Sequence, residues 1–214
     1  MNYLQSLDYV QPGIGLVGLS FGAALGLWLS TIEENKSLKC VVAIGAPHYI
    51  QIPCKWKNSL YPSPYEYDLA TDIKHEKDEY GAMDMGTLIY DESCEPYRTK
   101  LEQSPRYMKY LFIVGLDDGN LEAKRSFDIL NTRMKEHGRE DQVECFVYPN
   151  AGHFIDPPYI PQTVHGLWFP SFGVIGRCGG TLQGNFKASK HSWTEMVKFL
   201  KKNVGVESLS LIHI

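Results

Sequence analysis

Residues 12–32, PGIGLVGLSFGAALGLWLSTI, contain no charged side chain and are rich in glycine. Roughly 20 apolar residues are enough to span a bilayer, so one hypothesis for this stretch is a membrane helix. At its centre, however, a short apolar run ends in Gly-Leu-Ser-Phe-Gly at positions 18–22, and apolar residues then recur at helical spacing. This pattern predicts a buried strand, a tight turn and a buried helix. We therefore expect no stable membrane span.

The composition is typical of one globular domain. The chain has 214 residues, of which 43% are hydrophobic, and this is enough for a buried core. The net charge of -4 gives no reason to expect nucleic acid as a partner, because phosphate binding needs clustered Lys and Arg. The five cysteines form no CxxC pair. They indicate neither a zinc site nor a disulfide framework, and we expect reduced thiols in an intracellular protein.

Strands and helices alternate along the rest of the chain. Residues 48–105 show weak periodicity, and we expect a long excursion with short helices there. Alternation of strands with helices indicates an α/β fold with a mostly parallel sheet, in one domain. The predicted buried strands lie at 39–47, 109–118 and 142–149, and the predicted helices at 121–138 and 189–203.

The pentapeptide at 18–22 matches Gly-x-Ser-x-Gly, the nucleophile elbow. In that turn the serine has a strained backbone, and a side chain two residues before or after it would collide with the neighbouring strand or helix. The motif predicts Ser20 as a nucleophile. It also predicts the backbone N–H of Phe21, at the helix N-terminus, as a donor to an oxyanion. The pentapeptide alone fits a serine in any glycine-rich turn equally well, because glycine and serine are common.

A serine hydroxyl needs a base to take its proton and an acid to orient that base. Asp117 and Asp118 follow the apolar run YLFIVG, and His153 follows the predicted strand at 142–149. Both places lie at the sheet edge where open α/β sheets bind ligands, and the order serine, acid, histidine is that of the α/β-hydrolases. His153 is the candidate base, whereas spacing does not separate Asp117 from Asp118 as the acid. The histidines interpreted as structural or solvated are His48, His75, His137, His165 and His191.

These residues resemble the C-terminal catalytic domain of the acyl-coenzyme A thioesterase / bile acid-CoA:amino acid N-acyltransferase family. The resemblance covers about 13–205 and rests on GIGLVGLSFGAALGL, LFIVGLDDGN, MKEHGR, YPNAGHFIDPPYIP and HSWTEMVKFLKKNVG. Asp156 is a mild departure, since the family usually has glutamate there. The resemblance implies an α/β-hydrolase fold and a triad with Ser20 as nucleophile, Asp118 as acid and His153 as base.

From the resemblance we expect serine-dependent hydrolysis of acyl-CoA thioesters to free fatty acid and CoA, with no cofactor and no metal. Acyl-CoA is then the expected partner, and the oligomeric state is not predicted. The family's nucleophile is serine in thioesterase members and cysteine in the bile-acid conjugating enzyme, so Ser20 favours hydrolysis. The alternatives are an acyl-CoA:amino acid N-acyltransferase, an inactive or purely binding fragment, and a peptidase or other esterase of the same fold.

In the family's fold the serine follows the fifth strand, and a β-sandwich precedes the domain. We therefore expect 1–208 to be part of a catalytic domain that lacks its first strands and its second oxyanion donor, and to be poorly stable and weakly active alone. Residues 209–214, LSLIHI, match the translation of a common sequencing adapter and are interpreted as a non-native tail. The N-terminus lacks the positive charge of a secretory signal. We expect a cytoplasmic location, with the peroxisome and the mitochondrion as alternatives.

Overall fold

The computed structural model describes residues 2–8, 10, 13–50, 54–56, 59–61, 79–83, 97–169 and 174–205. Helices and strands alternate through much of this part of the chain. In chain order the elements are α1 (Asn2–Gln5), β1 (Ile14–Leu19), α2 (Phe21–Ser30), β2 (Leu38–Ile44), β3 (Cys54–Trp56), β4 (Ser59–Tyr61), β5 (Lys109–Gly115), α3 (Ala123–Glu136), β6 (Val143–Tyr148), β7 (His165–Phe169), β8 (Val174–Arg177) and α4 (Leu182–Val204).

A parallel sheet forms the centre of the molecule, with its strands in the order β1-β2-β5-β6. Val17 lies opposite Val42, and Val42 lies opposite Leu111, so the apolar runs of neighbouring strands are aligned. Two antiparallel hairpins, β3–β4 and β7–β8, stand apart from this sheet. The predicted α/β fold with a mostly parallel sheet is confirmed.

Helices cover both faces of the central sheet. On one face, Leu27 of α2 and Leu130 of α3 pack into a cluster with alternate residues of β2 and β5. On the other face, Met196 and Phe199 of α4 pack against the remaining residues of the same strands. Successive side chains of a strand point to opposite faces, so the inner strands β2 and β5, which are covered on both sides, are apolar along most of their length. Because the strands are parallel, their C-terminal ends meet at one edge of the sheet, where loops can present polar side chains.

The uncharged stretch at 12–32 contributes β1 and α2, with a tight turn between them, as the sequence predicts. α2 has 10 residues, and Ala24 and Leu27 in it have no exposed surface. Its apolar character is explained by burial in the protein core. Within the ranges that the structure describes, none of the helices combines the length and the apolar character needed to cross a membrane.

α4 begins at Leu182, well before the predicted start at Ser189. The reason is a capping interaction, because the side-chain oxygen of Thr181 accepts the N–H of Gly184 at 2.9 Å. The end of α3 follows the prediction: Gly138, with a φ of 60°, lies just after the helix and donates its N–H to the Lys135 carbonyl at 2.9 Å.

The expected excursion at 48–105 lies partly outside the described residues. The described part includes the β3–β4 hairpin and a 3-10 turn at Leu101–Gln103, so the expected short helices are only partly matched. The β7–β8 hairpin has no counterpart in the sequence prediction. The tail at 209–214 also lies outside the described residues, and the domain bounds 1–208 stay a prediction.

Candidate active site

Ser20 occupies the tight turn between β1 and α2. Its φ of 55° and ψ of −124° lie in a region that residues with a side chain rarely adopt. Two backbone hydrogen bonds hold this conformation: the Ser20 N–H donates to the Ile44 carbonyl at 2.8 Å, and the Ala23 N–H donates to the Ser20 carbonyl at 2.9 Å. A strained serine at the C-terminal end of a parallel strand has the backbone geometry of a nucleophile elbow.

The two glycines of the pentapeptide are not equivalent. A Cβ atom on Gly18 would lie 2.5 Å from the carbonyl oxygen of Gly22 and 2.6 Å from the nitrogen of Ala23, so the close approach of strand and helix requires glycine there. A Cβ atom on Gly22 would meet nothing within 4 Å. The expectation that both positions need glycine is confirmed for Gly18 and wrong for Gly22.

Phe21 is the first residue of α2. Its N–H is among those that an α-helix leaves without an intrahelical acceptor, and the helix dipole adds partial positive charge there. The Ser20 hydroxyl and this N–H therefore belong to adjacent residues at the same sheet edge. In such a pair the hydroxyl can attack a carbonyl carbon, and the N–H can stabilise the negative charge that develops on the carbonyl oxygen.

The structure distinguishes the two aspartates that spacing leaves equivalent. Nδ1 of His153 lies 2.9 Å from Oδ2 of Asp118, and Oδ1 of Asp118 accepts the N–H groups of Asn120 and Leu121 at 2.9 and 3.0 Å. Only 1% of the His153 side chain and 2% of the Asp118 side chain is exposed. An acceptor at Nδ1 favours the tautomer with its proton there, which leaves Nε2 as the basic nitrogen.

Asp117 is directed to a different partner. Its carboxylate accepts hydrogen bonds from the guanidinium of Arg177 and, at 2.9 Å, from the N–H of Gly180. It thereby ties the loop after β5 to the segment after β8. Adjacent aspartates thus have separate contacts, and Asp118 is the one that contacts the histidine.

The segment that follows β8 joins the aspartate loop to the histidine loop. The Cys178 carbonyl accepts the N–H of His153 at 2.7 Å and that of Gly119 at 3.4 Å. Gly179 has a φ of 81°, and a Cβ atom on it would lie 1.7 Å from the Asp117 carbonyl oxygen. Sequence reasoning missed this segment, and the Gly-Gly pair at 179–180, a turn signal shortly after the β-branched residues Val174 and Ile175, could have indicated it.

Ser20 and His153 both approach the turn that ends β2. The Ser20 N–H bonds to Ile44, and a Cβ atom on the next residue, Gly45, would lie 3.1 Å from Nδ1 of His153. Gly45 has a φ of 52°, so the backbone turns sharply where it meets the imidazole. The hydrogen bond between Asp118 and His153 is formed, whereas a hydrogen bond from Ser20 to His153 stays a prediction.

Two further titratable groups lie near this edge. His48 is buried with Nδ1 3.0 Å from the Ser126 hydroxyl, and burial together with the charges of Arg98 and Arg125 lowers its pKa to about 4. Burial raises the pKa of the Asp156 carboxyl, although the nearby His153 opposes that shift. Among the residues that the structure describes, no three His, Cys, Asp or Glu side chains are grouped so as to hold a metal ion.

A family model described as "BAAT / Acyl-CoA thioester hydrolase C terminal" matches residues 1–206. The chain belongs to this family. The resemblance seen in the sequence is thereby confirmed, and membership agrees with the α/β-hydrolase fold that the parallel sheet and the elbow indicate.

Relatives within the BAAT / acyl-CoA thioester hydrolase family are named for two different activities, N-acyl transfer and thioester hydrolysis. Acyl-coenzyme A amino acid N-acyltransferase 2 of Mus musculus is 31% identical over 95% of this chain and 47% of the relative. Mitochondrial acyl-coenzyme A thioesterase 2 and acyl-coenzyme A thioesterase 1, also from Mus musculus, are 31% and 32% identical over 97% and 98% of this chain, and 44% and 48% of their own lengths. The chain thus spans slightly less than half of each of these relatives.

A structural likeness to an esterase of Pyrococcus furiosus is weaker than these sequence similarities. That protein is 15% identical, with a TM-score of 0.47 over 94% of this chain and 57% of the esterase. A likeness of this size supports no argument about function.

Proposed function

We propose that this chain carries the catalytic residues of a serine-dependent acyl-CoA thioesterase, which hydrolyses acyl-CoA to free fatty acid and CoA. The observation that carries the proposal is the buried hydrogen bond between Asp118 and His153, at the sheet edge where Ser20 has the conformation of a nucleophile elbow. The names of the relatives support the substrate class, since they include acyl-CoA thioesterases and acyl-CoA N-acyltransferases.

The proposed reaction proceeds in two halves. Nε2 of His153 takes the proton of the Ser20 hydroxyl while Oγ attacks the thioester carbonyl carbon. The tetrahedral intermediate then breaks its C–S bond, CoA leaves as a thiol with the proton from His153, and the acyl group remains on Ser20. Water gives a proton to the same imidazole and attacks the acyl-serine, which releases the fatty acid and restores the hydroxyl.

Asp118 and Phe21 assist both halves of this reaction. Asp118 keeps the proton on Nδ1 and stabilises the imidazolium that forms when Nε2 takes a proton. The N–H of Phe21 donates to the oxyanion, and one such donor is worth about 10²–10³ in kcat. The remaining contribution comes from holding the thioester next to the serine, which removes the entropy cost of bringing the two together.

A second candidate function is transfer of the acyl group to an amino acid. It is favoured by the 31% identity to an acyl-coenzyme A amino acid N-acyltransferase. In that reaction the amino group of glycine or taurine replaces water as the attacking group, and the product is an amide. We favour hydrolysis because the nucleophile here is a serine, as in the thioesterase members that the sequence resembles.

The test measures release of CoA from a long-chain acyl-CoA with a thiol reagent, with and without glycine or taurine, and identifies the acyl product by mass spectrometry. We expect free fatty acid at a rate that the amines leave unchanged. Ser20→Ala should reduce the rate to within about 10³–10⁴-fold of the uncatalysed reaction. Ser6→Ala is the matched control, because Ser6 is an exposed serine outside the elbow, whose hydroxyl donates to the Tyr3 carbonyl at 2.7 Å.

Two results would overturn the proposal. An acyl amide that replaces the free acid when glycine or taurine is present would identify a transferase. Equal, negligible CoA release by the wild-type protein and by Ser20→Ala would show no hydrolysis that depends on Ser20, as expected of an inactive or purely binding fragment. We also propose a cytoplasmic location, and fractionation of cells followed by detection of the protein would test it.

A further inference from the structure

α4 carries a polar side chain at a position that faces the protein interior. Asn185 lies near the start of the helix and has no exposed surface. Asparagine is a poor helix former, and the inward face of a helix is normally apolar. A buried carboxamide is tolerated only where hydrogen bonds satisfy it. The partners of Asn185 therefore explain its presence.

These partners are backbone groups around the candidate base. Oδ1 of Asn185 accepts the N–H of Gly152 at 2.8 Å. Nδ2 donates to the carbonyls of Thr163 and Gly179, at 3.1 and 3.4 Å. A Cβ atom on Gly180 would lie 2.3 Å from Oδ1, so the backbone there packs directly on the carboxamide. The Asn185 side chain thus links the segments before and after His153 to the segment that follows β8.

We propose that Asn185 is a positioning residue for His153, which it holds in the orientation that keeps Nδ1 on Asp118. The inference rests on the proposed function. The His153 N–H donates to the Cys178 carbonyl at 2.7 Å, and Asn185 binds the groups next to both ends of that hydrogen bond, the N–H of Gly152 and the carbonyl of Gly179. The same side chain therefore supports the histidine loop and its anchor.

The chemical reason is that proton transfer is sensitive to the distance between the groups. A catalytic group must be held close to its productive geometry by the residues behind it, and a misplacement of about 1 Å can cost about 10²-fold in rate. Asn185 acts through the histidine backbone and has no role in holding substrate. Its loss should lower kcat and leave KM unchanged.

Asn185→Leu tests this, because leucine has a similar size and makes none of the three hydrogen bonds. Asn185→Asp is the second variant, since it keeps an acceptor for Gly152 and loses the two donated bonds. Asn203→Leu is the matched control: Asn203 lies on the same helix, and its Nδ2 donates to the Phe199 carbonyl at 2.7 Å, away from the histidine loop.

The first readout is the NMR signal of the Nδ1 proton of His153 in protein labelled with 15N-histidine, with Asp118→Asn to assign it. We expect Asn185→Leu to lose this signal or to exchange it faster with water, Asn185→Asp to weaken it, and Asn203→Leu to keep it. The second readout is acyl-CoA hydrolysis, where kcat should fall about 10²-fold in Asn185→Leu with KM unchanged.

These readouts separate the inference from the proposed function. A wild-type protein that hydrolyses no thioester contradicts the proposed function, yet its NMR signal still tests whether Asn185 holds the histidine. An unchanged Nδ1 signal in Asn185→Leu would overturn the inference, even with full thioesterase activity in the wild type. If Asn185→Leu does not fold, the decision passes to Asn185→Asp, where a signal as strong as the wild-type one would overturn it.

Discussion

Adding one methyl group at each glycine of the elbow tests what the fold requires of this turn. In Gly18→Ala the new Cβ would lie 2.5 Å from the Gly22 carbonyl oxygen, about 0.9 Å short of the 3.4 Å at which ordinary contact begins. The nitrogen of Ala23 is nearly as close, at 2.6 Å. Both obstacles are backbone atoms of the first turn of α2. Relief therefore requires the helix start to move away from β1, and Ser20 lies between them.

The expected magnitudes follow from this displacement. Overpacking of a close contact costs about 1–3 kcal/mol, so we expect Gly18→Ala to lose that much free energy of unfolding. A shift of nearly 1 Å at Ser20 should also lower kcat about 10²-fold. Gly22→Ala should have the opposite sign, because its Cβ meets nothing within 4 Å and alanine is favoured over glycine in a helix by about 0.5–1 kcal/mol.

Urea denaturation gives the free energy of unfolding of both variants, and acyl-CoA hydrolysis gives kcat. The two substitutions add the same methyl group within the same turn, so each is a control for the other. Gly22→Ala as damaging as Gly18→Ala would refute the reasoning from contact distances. So would Gly18→Ala with the stability and the activity of the wild type.

Three further predictions concern buried charge. Asp118→Asn should lower kcat for acyl-CoA hydrolysis about 10⁴-fold because it favours the wrong histidine tautomer. Asp117→Asn should lower kcat far less, and equal losses of kcat in the two variants would contradict this. Arg98→Met should cost about 3–5 kcal/mol of unfolding free energy in urea, because it leaves buried Glu102 without its cation; a loss below about 1 kcal/mol would contradict this. The free energy of unfolding should fall as the pH drops from about 6.5 toward about 4, because in this range His48 takes up a proton in the unfolded state and stays neutral in the folded state. His48→Gln should flatten this pH dependence in urea titrations at several pH values.

The inner strands β2 and β5 could be predicted because their burial on both faces leaves continuous apolar runs. The first turns of α4 could not. Their buried positions are small or polar, including Asn185, Ala188 and Ser189, so the apolar spacing that marks a helix begins later in the sequence. The start of the helix depends instead on the Thr181 cap, which is a local hydrogen bond.

The candidate site shows the same limit. Ser20 and His153 follow apolar runs and could be chosen from the sequence, although their catalytic roles stay predictions. The roles of the two aspartates depend on which way each side chain points. That direction is set by Arg177 and Gly180, which follow much later in the chain and reach Asp117 only through tertiary packing. Spacing within the loop contains no information about such a partner.

The Cys178 carbonyl, which receives N–H groups from both the aspartate loop and the histidine loop, has a consequence for synthesis of the protein. The ribosome makes Asp118 and His153 before it makes this carbonyl, and before it makes Asn185. A nascent chain that ends between His153 and Cys178 would contain the whole candidate triad and lack the anchor that orders its acid and base. The hydrogen bonds that hold the candidate acid and base therefore form only after the ribosome has made Cys178 and α4.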